Sequence, residues 1–411
     1  MRRSTIYLIA ACAVGFGLQT LHANRAGYVK RTTIGGPGDN EQLIVGDFEE
    51  KESWFEKVVL PCWEGFKGDV KDSTGLQFSV NYTANYLNAS SALPGRKKEA
   101  AGGVFDLTGS WKILPEKEQD FGIVGFRIED RHRLGTSIAP NALGSEIGSL
   151  WKPDVLWGEF DTTISQLWYE KSWDEKSYAV RFGKLNTPAI YYDNHLLKVP
   201  YYLSQNEALI FSGIAFPSNG LGALGGVWMG EQVYLLGGIH DANGTPTTTG
   251  FDTFFETREY FTAAEVGWSP SQDLVKETNI HLTGWHSDAR KEKGLPSGWG
   301  FSFSAQHVIE KRWVALSRIS YSDTELTPTR LLATLGGGRK FRSHDFLGAT
   351  LSWGQASNRQ LRDQTGLESF YRVVVTPRTS IIPTLHFIFN PSSNPDKDMI
   401  AVLGIRARFS L

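Results

Sequence analysis

The stretch Leu403-Gly404-Ile405-Arg406-Ala407-Arg408-Phe409-Ser410-Leu411 decides the fold. Every second residue is apolar, and Gly404, Arg406, Arg408 and Ser410 fill the positions between. Successive side chains of a strand point to opposite faces, so this segment has one oily and one polar side. The same period recurs upstream. Leu76, Phe78, Val80 and Tyr82 alternate with Gln77, Ser79, Asn81 and Thr83. Val124, Phe126 and Ile128 alternate with Gly125, Arg127 and Glu129. Trp299, Phe301, Phe303 and Ala305 alternate with Gly300, Ser302, Ser304 and Gln306, and comparable runs lie around Phe105, Val180, Val266, Leu351 and Leu385.

A water-soluble sandwich and a membrane barrel share this period, and three features favour the barrel. The strands run to about nine to eleven residues, the length of a tilted span of the hydrocarbon core, whereas soluble strands are more often about five or six. Aromatics gather near strand ends (Trp111, Trp168, Tyr169, Trp173, Trp268, Trp285, Trp299, Trp313, Tyr321 and Trp353), as interfacial girdles require. The alternating run to Leu411 suits a last strand that closes a barrel on the first and is read by outer-membrane assembly machinery. Short polar segments at 114–120 and 269–273 alternate with long ones at 133–158, 186–222 and 241–258, the habit of short inner turns and long outer loops. From residue 71 onward, at roughly 21 residues per strand and connection, about sixteen strands fit. The expected fold is therefore all-β: a transmembrane antiparallel β-barrel of about 16 strands. That number leaves an aqueous channel, where eight strands would be filled by side chains.

Composition agrees. The 411 residues are 21% charged and 12% aromatic, with net charge −2, 43 glycines and two cysteines; mean hydropathy is −0.26. Near-neutral charge predicts no nucleic-acid partner, and two cysteines exclude a disulfide scaffold or a cysteine-based zinc site. Arg2 and Arg3, the apolar run Ile6–Leu18 and the small Ala23 read as a signal peptide over residues 1–23. Cys12 follows a lipobox-like Ile9-Ala10-Ala11, but the apolar run continues past it, against lipidation. Residues 24–70 form a polar periplasmic lead-in with one short amphipathic helix expected over 47–60, capped by Asp47 and followed by Pro61. The barrel occupies 71–411.

Several blocks carry a family resemblance: Arg181-Phe182-Gly183-Lys184-Leu185 with Tyr191-Tyr192-Asp193; Phe216-Pro217-Ser218-Asn219-Gly220-Leu221-Gly222; Ile239-His240-Asp241-Ala242-Asn243-Gly244; Gln364-Thr365-Gly366-Leu367-Glu368; and Ile382-Pro383 through Asn390-Pro391. In order and spacing the chain resembles the carbohydrate-selective outer-membrane porins, the OprB-type family, over roughly residues 120–411. The resemblance implies a passive sugar channel whose loops fold inward to a constriction of arginines, acids and aromatics. It implies no cofactor and no enzyme activity, with small carbohydrates and outer-membrane lipids as partners. A homo-oligomer stays open, because lipid-facing and subunit-facing surfaces are both apolar.

Strand parity supplies candidate pore-lining residues: Arg127, Glu129 and Arg131 on one strand, Gln166, Trp168 and Glu170 on a second, then Arg181, Glu265, Arg318 and Arg406. Arginine offers planar forked donors, glutamate accepts from paired hydroxyls, and Trp168 offers a stacking plane. Three alternating charges such as Arg127-Glu129-Arg131 face lipid only at ~2–4 kcal/mol per mid-membrane arginine. Against these readings, any polar lumen needs polar side chains, and opposed charges pair across strands. Glu159 and Asp161 could form a hydrolase carboxylate pair. No histidines show metal-ligand spacing. Gly336-Gly337-Gly338 reads as a flexible loop. The remaining alternatives are a general or anion-selective porin, and a secreted soluble β-protein such as a lectin or glycosidase.

Overall fold

The computed structural model describes residues 61–113, 121–155, 157–173, 177–191, 204, 206–210, 213–275, 277–310, 312–341, 345–376 and 378–411. The expected signal peptide, most of the lead-in and the helix expected over 47–60 lie outside them.

A helix does precede the barrel, at α1 (Pro61–Thr74). Proline suits a helix's first turn, where its missing N–H is not needed. Gly75, at φ 75°, ends the helix, its N–H donating to the Lys71 carbonyl at 2.8 Å. Trp63 and Phe66 pack edge-on against Phe78, and the Trp111 indole donates to the Thr74 carbonyl. Phe78 and Trp111 belong to the outward faces of their strands, so α1 lies against the outside of the barrel.

Sixteen strands follow: β1 (Leu76–Ala89), β2 (Glu99–Lys112), β3 (Phe121–Arg133), β4 (Phe160–Trp173), β5 (Tyr178–Leu185), β6 (Gly220–Met229), β7 (Val233–Asp241), β8 (Tyr260–Trp268), β9 (Asn279–Ser287), β10 (Gly298–Ile309), β11 (Trp313–Ser322), β12 (Thr329–Phe341), β13 (Asp345–Ala356), β14 (Gln364–Thr376), β15 (Thr379–Phe389) and β16 (Met399–Ser410). Each pairs antiparallel with its neighbours, and β1 pairs with β16 in the register Asn81↔Ser410 to Ala89↔Val402, closing the barrel. Closure pairs every strand on both sides over most of its length, as a medium that cannot satisfy a free edge requires.

The oily faces look outward. Phe105, Leu167, Phe182, Leu235, Val266, Leu282, Phe301, Leu351, Leu403 and Ile405 are exposed on the outer wall, while Asn81, Asp106, Thr108, Glu129, Thr283, Ser302, Ser304, Thr350, Arg406 and Arg408 are buried within. This inversion is what a hydrocarbon surround demands. Aromatics with cations beside them mark the rims: Arg339 lies 4.7 Å over Trp313 and Arg330 5.8 Å over Tyr321.

Three sequence expectations are corrected. Trp285 does not belong to the outer girdle; like Trp168, which parity places inward, it is buried inside, at 4% against 6% exposure. Their ladder partners Gly125 and Gly300 leave room for the indoles, since a Cβ at either glycine would come within 2.2–2.7 Å of the ring. The Gly336–Gly338 run is not a loop but part of β12, where a Cβ on Gly338 would meet the Phe346 ring at 2.2 Å. Short helices also form inside the long loops, at α2 (Leu143–Ile147), α3 (Pro188–Tyr191) and α4 (Glu207–Ile210). They span only four or five residues, too short for a helical period to show.

Candidate functional site

The interior is narrowed by two long loops that fold in from the end opposite the start of β1 and the end of β16. The loop between β3 and β4 enters first. Leu143 and Ile147 of α2 join an inward apolar cluster with Leu87, Ile388, Ile400 and Val402. Trp151, 2% exposed, sits where Gly354 and Gly366 clear space on β13 and β14; a Cβ on Gly354 would lie 2.6 Å from its ring. Asp154 accepts from Asn85 at 2.7 Å and faces Arg406 at 3.7 Å. Trp157 lies under the Arg406 guanidinium, 5.4 Å from it.

The loop between β5 and β6 meets the opposite wall. Leu209 of α4 enters an apolar patch with Val314, Leu316, Phe346, Phe370 and Ile382. The Leu209 carbonyl accepts a hydrogen bond from Arg318, and Ser204 donates to Glu368 at 2.5 Å. The two loops are stitched together: the Glu207 N–H donates to the Lys152 carbonyl at 3.0 Å, and the Lys152 N–H returns to the Glu207 carboxylate at 2.8 Å. Burial pushes the Glu207 carboxyl above its ordinary range, only partly opposed by Lys152. On the facing wall Tyr191 of α3 meets His240 at 3.0 Å. Burial and the Glu265 carboxylate keep the Tyr191 phenol protonated.

The structure places every parity candidate on the inward side and divides them by surroundings. Arg127 lies 3.8 Å from Asp106 and 3.3 Å from Glu129, and Arg131 donates to Glu129 at 2.9 Å. Arg131 also lies 4.7 Å over Phe160, its ladder partner. Glu170 accepts twice from Arg181, at 2.6 and 2.9 Å, and the same guanidinium lies 4.0 Å over the Trp168 indole. Arg131 and Arg181 keep partial access, at 15% and 11%, while Arg127, Glu129 and Glu170 are covered. Glu265 accepts from Tyr234 at 2.8 Å and Thr283 at 2.7 Å. Arg318 and Arg406 hold loops, as above. Gln166 is buried beside Ser165, which forms a bulge opposite Arg127. Glu159 is an exposed partner of Arg133 at 2.6 Å, far from a buried carboxylate pair.

Sequence reasoning missed Asp106, Asp154, Trp157, Arg408 and Glu368. Asp106, Arg408 and Glu368 follow the same parity and could have been found from it. Asp154 and Trp157 sit on a loop, where no period marks direction.

A closed sixteen-stranded barrel, oily outside, charged within and narrowed by inward loops, is the architecture of outer-membrane porins. The sequence pattern described as the carbohydrate-selective porin, OprB family matches residues 77–411, and the chain belongs to that family. It is similar to the "Porin AaxA" proteins of Chlamydia abortus (strain DSM 27085 / S26/3), at 26% identity over 60% of this chain and 57% of that one, and of Chlamydia felis (strain Fe/C-56), at 26% over 60% and 58%. The match thus spans under three fifths of the length of these curated relatives. In fold it resembles the high-pH structure of Pseudomonas putida OprB, with TM-score 0.67 at 15% identity, covering 85% of this chain and 97% of that one. Family and fold are those of a channel rather than an enzyme, and of outer-membrane proteins of Gram-negative-type bacteria.

Proposed function

We propose that this protein is an outer-membrane channel for passive diffusion of small hydrophilic solutes, with neutral carbohydrates favoured. The carrying observation is the pairing of partly accessible guanidinium groups with both an acid and an aromatic plane: Arg181 with Glu170 and Trp168, and Arg131 with Glu129 and Phe160. Sugars present hydroxyls and small apolar ring faces. Such triads offer forked donors, acceptors and flat surfaces without a large net charge. Binding stays weak enough for release on both sides, as conduction requires.

The general or anion-selective alternative draws on Arg127, Arg131, Arg406 and Arg408 gathered along β3 and β16. Asp106, Glu129 and Asp154 lie among them, within 4 Å of Arg127, Arg131 and Arg406 as ion-pair partners. Reversal potential across a planar bilayer in a salt gradient separates the two. The sugar reading expects weak ion selectivity and conductance block by added sugar. Strong anion selectivity without sugar block supports the alternative. Recovery of the protein in the aqueous phase without detergent rejects both.

A further inference from the structure

β5 is only eight residues long, and its ladder with β4 ends at Leu167↔Lys184. β4 continues upward through residues 160–166, paired on its other side with β3 alone. Eight residues tilted by about 40° climb about 20 Å, less than the apolar band of about 25 Å. Ile164, 49% exposed, sits on the outer surface at this level. The wall between β4 and β6 therefore has a notch at its outer end, where the Ile164 and Ser165 carbonyls of β4 have no strand to receive them. Hydrocarbon cannot satisfy such groups.

The structure closes this notch with three side chains and a strap. Lys184, 8% exposed, donates through Nζ to three backbone carbonyls: Ile164 of β4 at 2.9 Å, Pro246 at 2.5 Å and Thr248 at 2.7 Å. Asn219 donates to the Ser165 carbonyl at 2.9 Å. The Thr163 hydroxyl donates to the same Pro246 carbonyl at 3.2 Å. The strap is the segment 245–249 from the β7–β8 loop, which runs above the end of β5. Three carbonyls around an ammonium use all three of its donors.

We propose that Lys184 is a positioning residue that seals the barrel wall, fastening segment 245–249 across the notch left by the short β5. The seal isolates the solute path from the lipid and fixes the outer mouth. This goes beyond the transport reading and needs it only for the electrical readout. The test places a spin label at Thr247→Cys in the full chain, with Cys12 and Cys62 replaced by serine, reconstituted in phosphatidylcholine vesicles. A second label at Asn358→Cys, in the β13–β14 loop, is the reference. The Thr247 label is expected to be markedly less mobile than the reference. Lys184→Met should raise its mobility to the reference level, Lys184→Arg should restore it, and Thr163→Val should fall between. Single-channel recordings should show open-channel noise in Lys184→Met at least about two-fold higher. A Thr247 label already as mobile as the reference in the otherwise native chain overturns the proposal without any Lys184 variant. So does an unchanged label in a folded Lys184→Met protein. A quiet, sugar-insensitive channel with the expected label mobilities would instead count against the sugar reading alone.

Discussion

The guanidinium carbon of Arg181 lies over the indole of Trp168, 4.0 Å from the ring centroid. Both project inward from adjacent strands, across a glycine-cleared patch of wall. Contacts of this kind contribute roughly 0.5–2 kcal/mol as they lose water. Trp168→Ala removes the plane that holds Arg181 and should raise the sugar concentration for half-block of conductance about three- to ten-fold. Sugar titration of single-channel current checks this; an unchanged titration places the sugar path elsewhere in the lumen.

Arg127 stands between Asp106 and Glu129. Arg127→Ala leaves these covered carboxylates short of one cation. The channel should shift towards cations, seen as a displaced reversal potential in a potassium chloride gradient, with altered sugar block. A channel identical to the native one would remove Arg127 from the solute path.

Trp151 fixes the β3–β4 loop in a pocket made by Gly354 and Gly366. Truncating a buried tryptophan typically costs about 3–5 kcal/mol. Trp151→Ala should lower the heat-unfolding temperature and widen the constriction, raising conductance. Gly354→Ala, whose methyl would meet the ring, should do the same to a smaller degree. Electrophoretic heat-modifiability and conductance measured on the same preparations test both.

Helix α1 is tied to the turn before β15 by the Glu64–Arg378 ion pair. Partial burial alone would raise the Glu64 carboxyl, but hydrogen bonds from Lys67 and Arg378 outweigh it and hold it below the ordinary 4.5. A depressed carboxyl stabilises docking above its unfolded value, and that contribution is lost as pH falls through the lowered folded value. A fluorophore on Cys62, exposed on α1, should therefore keep its restricted motion down to about pH 4.5 and gain freedom only below it. Glu64→Gln should abolish that step. Release already near neutral pH would contradict the assignment.

Most of the wall was legible because a membrane barrel imposes its period on every strand. Leu403, Ile405 and Phe409 must meet oil while Arg406 and Arg408 must not, so parity alone assigned Arg127, Glu129, Glu170, Arg181 and Glu265 to the interior. The girdle reading failed where it was applied without parity. Trp285 looked like a girdle residue because aromatics suit both interfaces and packed interiors; its shared parity with the buried His281 and Thr283 and its glycine partner Gly300 distinguish the two. The inward loops were not legible from period at all. Trp157 and Asp154 are placed by Arg406 and Asn85, contacts distant in sequence, and α4 is a single turn shaped by Lys152 and Arg318. The short β5 hid the Lys184 seal for a related reason, since Lys184 continues the outward parity of Val180 and Phe182 yet is buried by a segment about sixty residues away.

Liposome swelling in a graded series of neutral sugars tests the central claim most directly. Vesicles carrying the folded protein should swell, fastest with monosaccharides and progressively more slowly with longer sugars, and faster in monosaccharides than in organic anions of equal size. Swelling no faster than in protein-free vesicles, or swelling confined to anions, would contradict it.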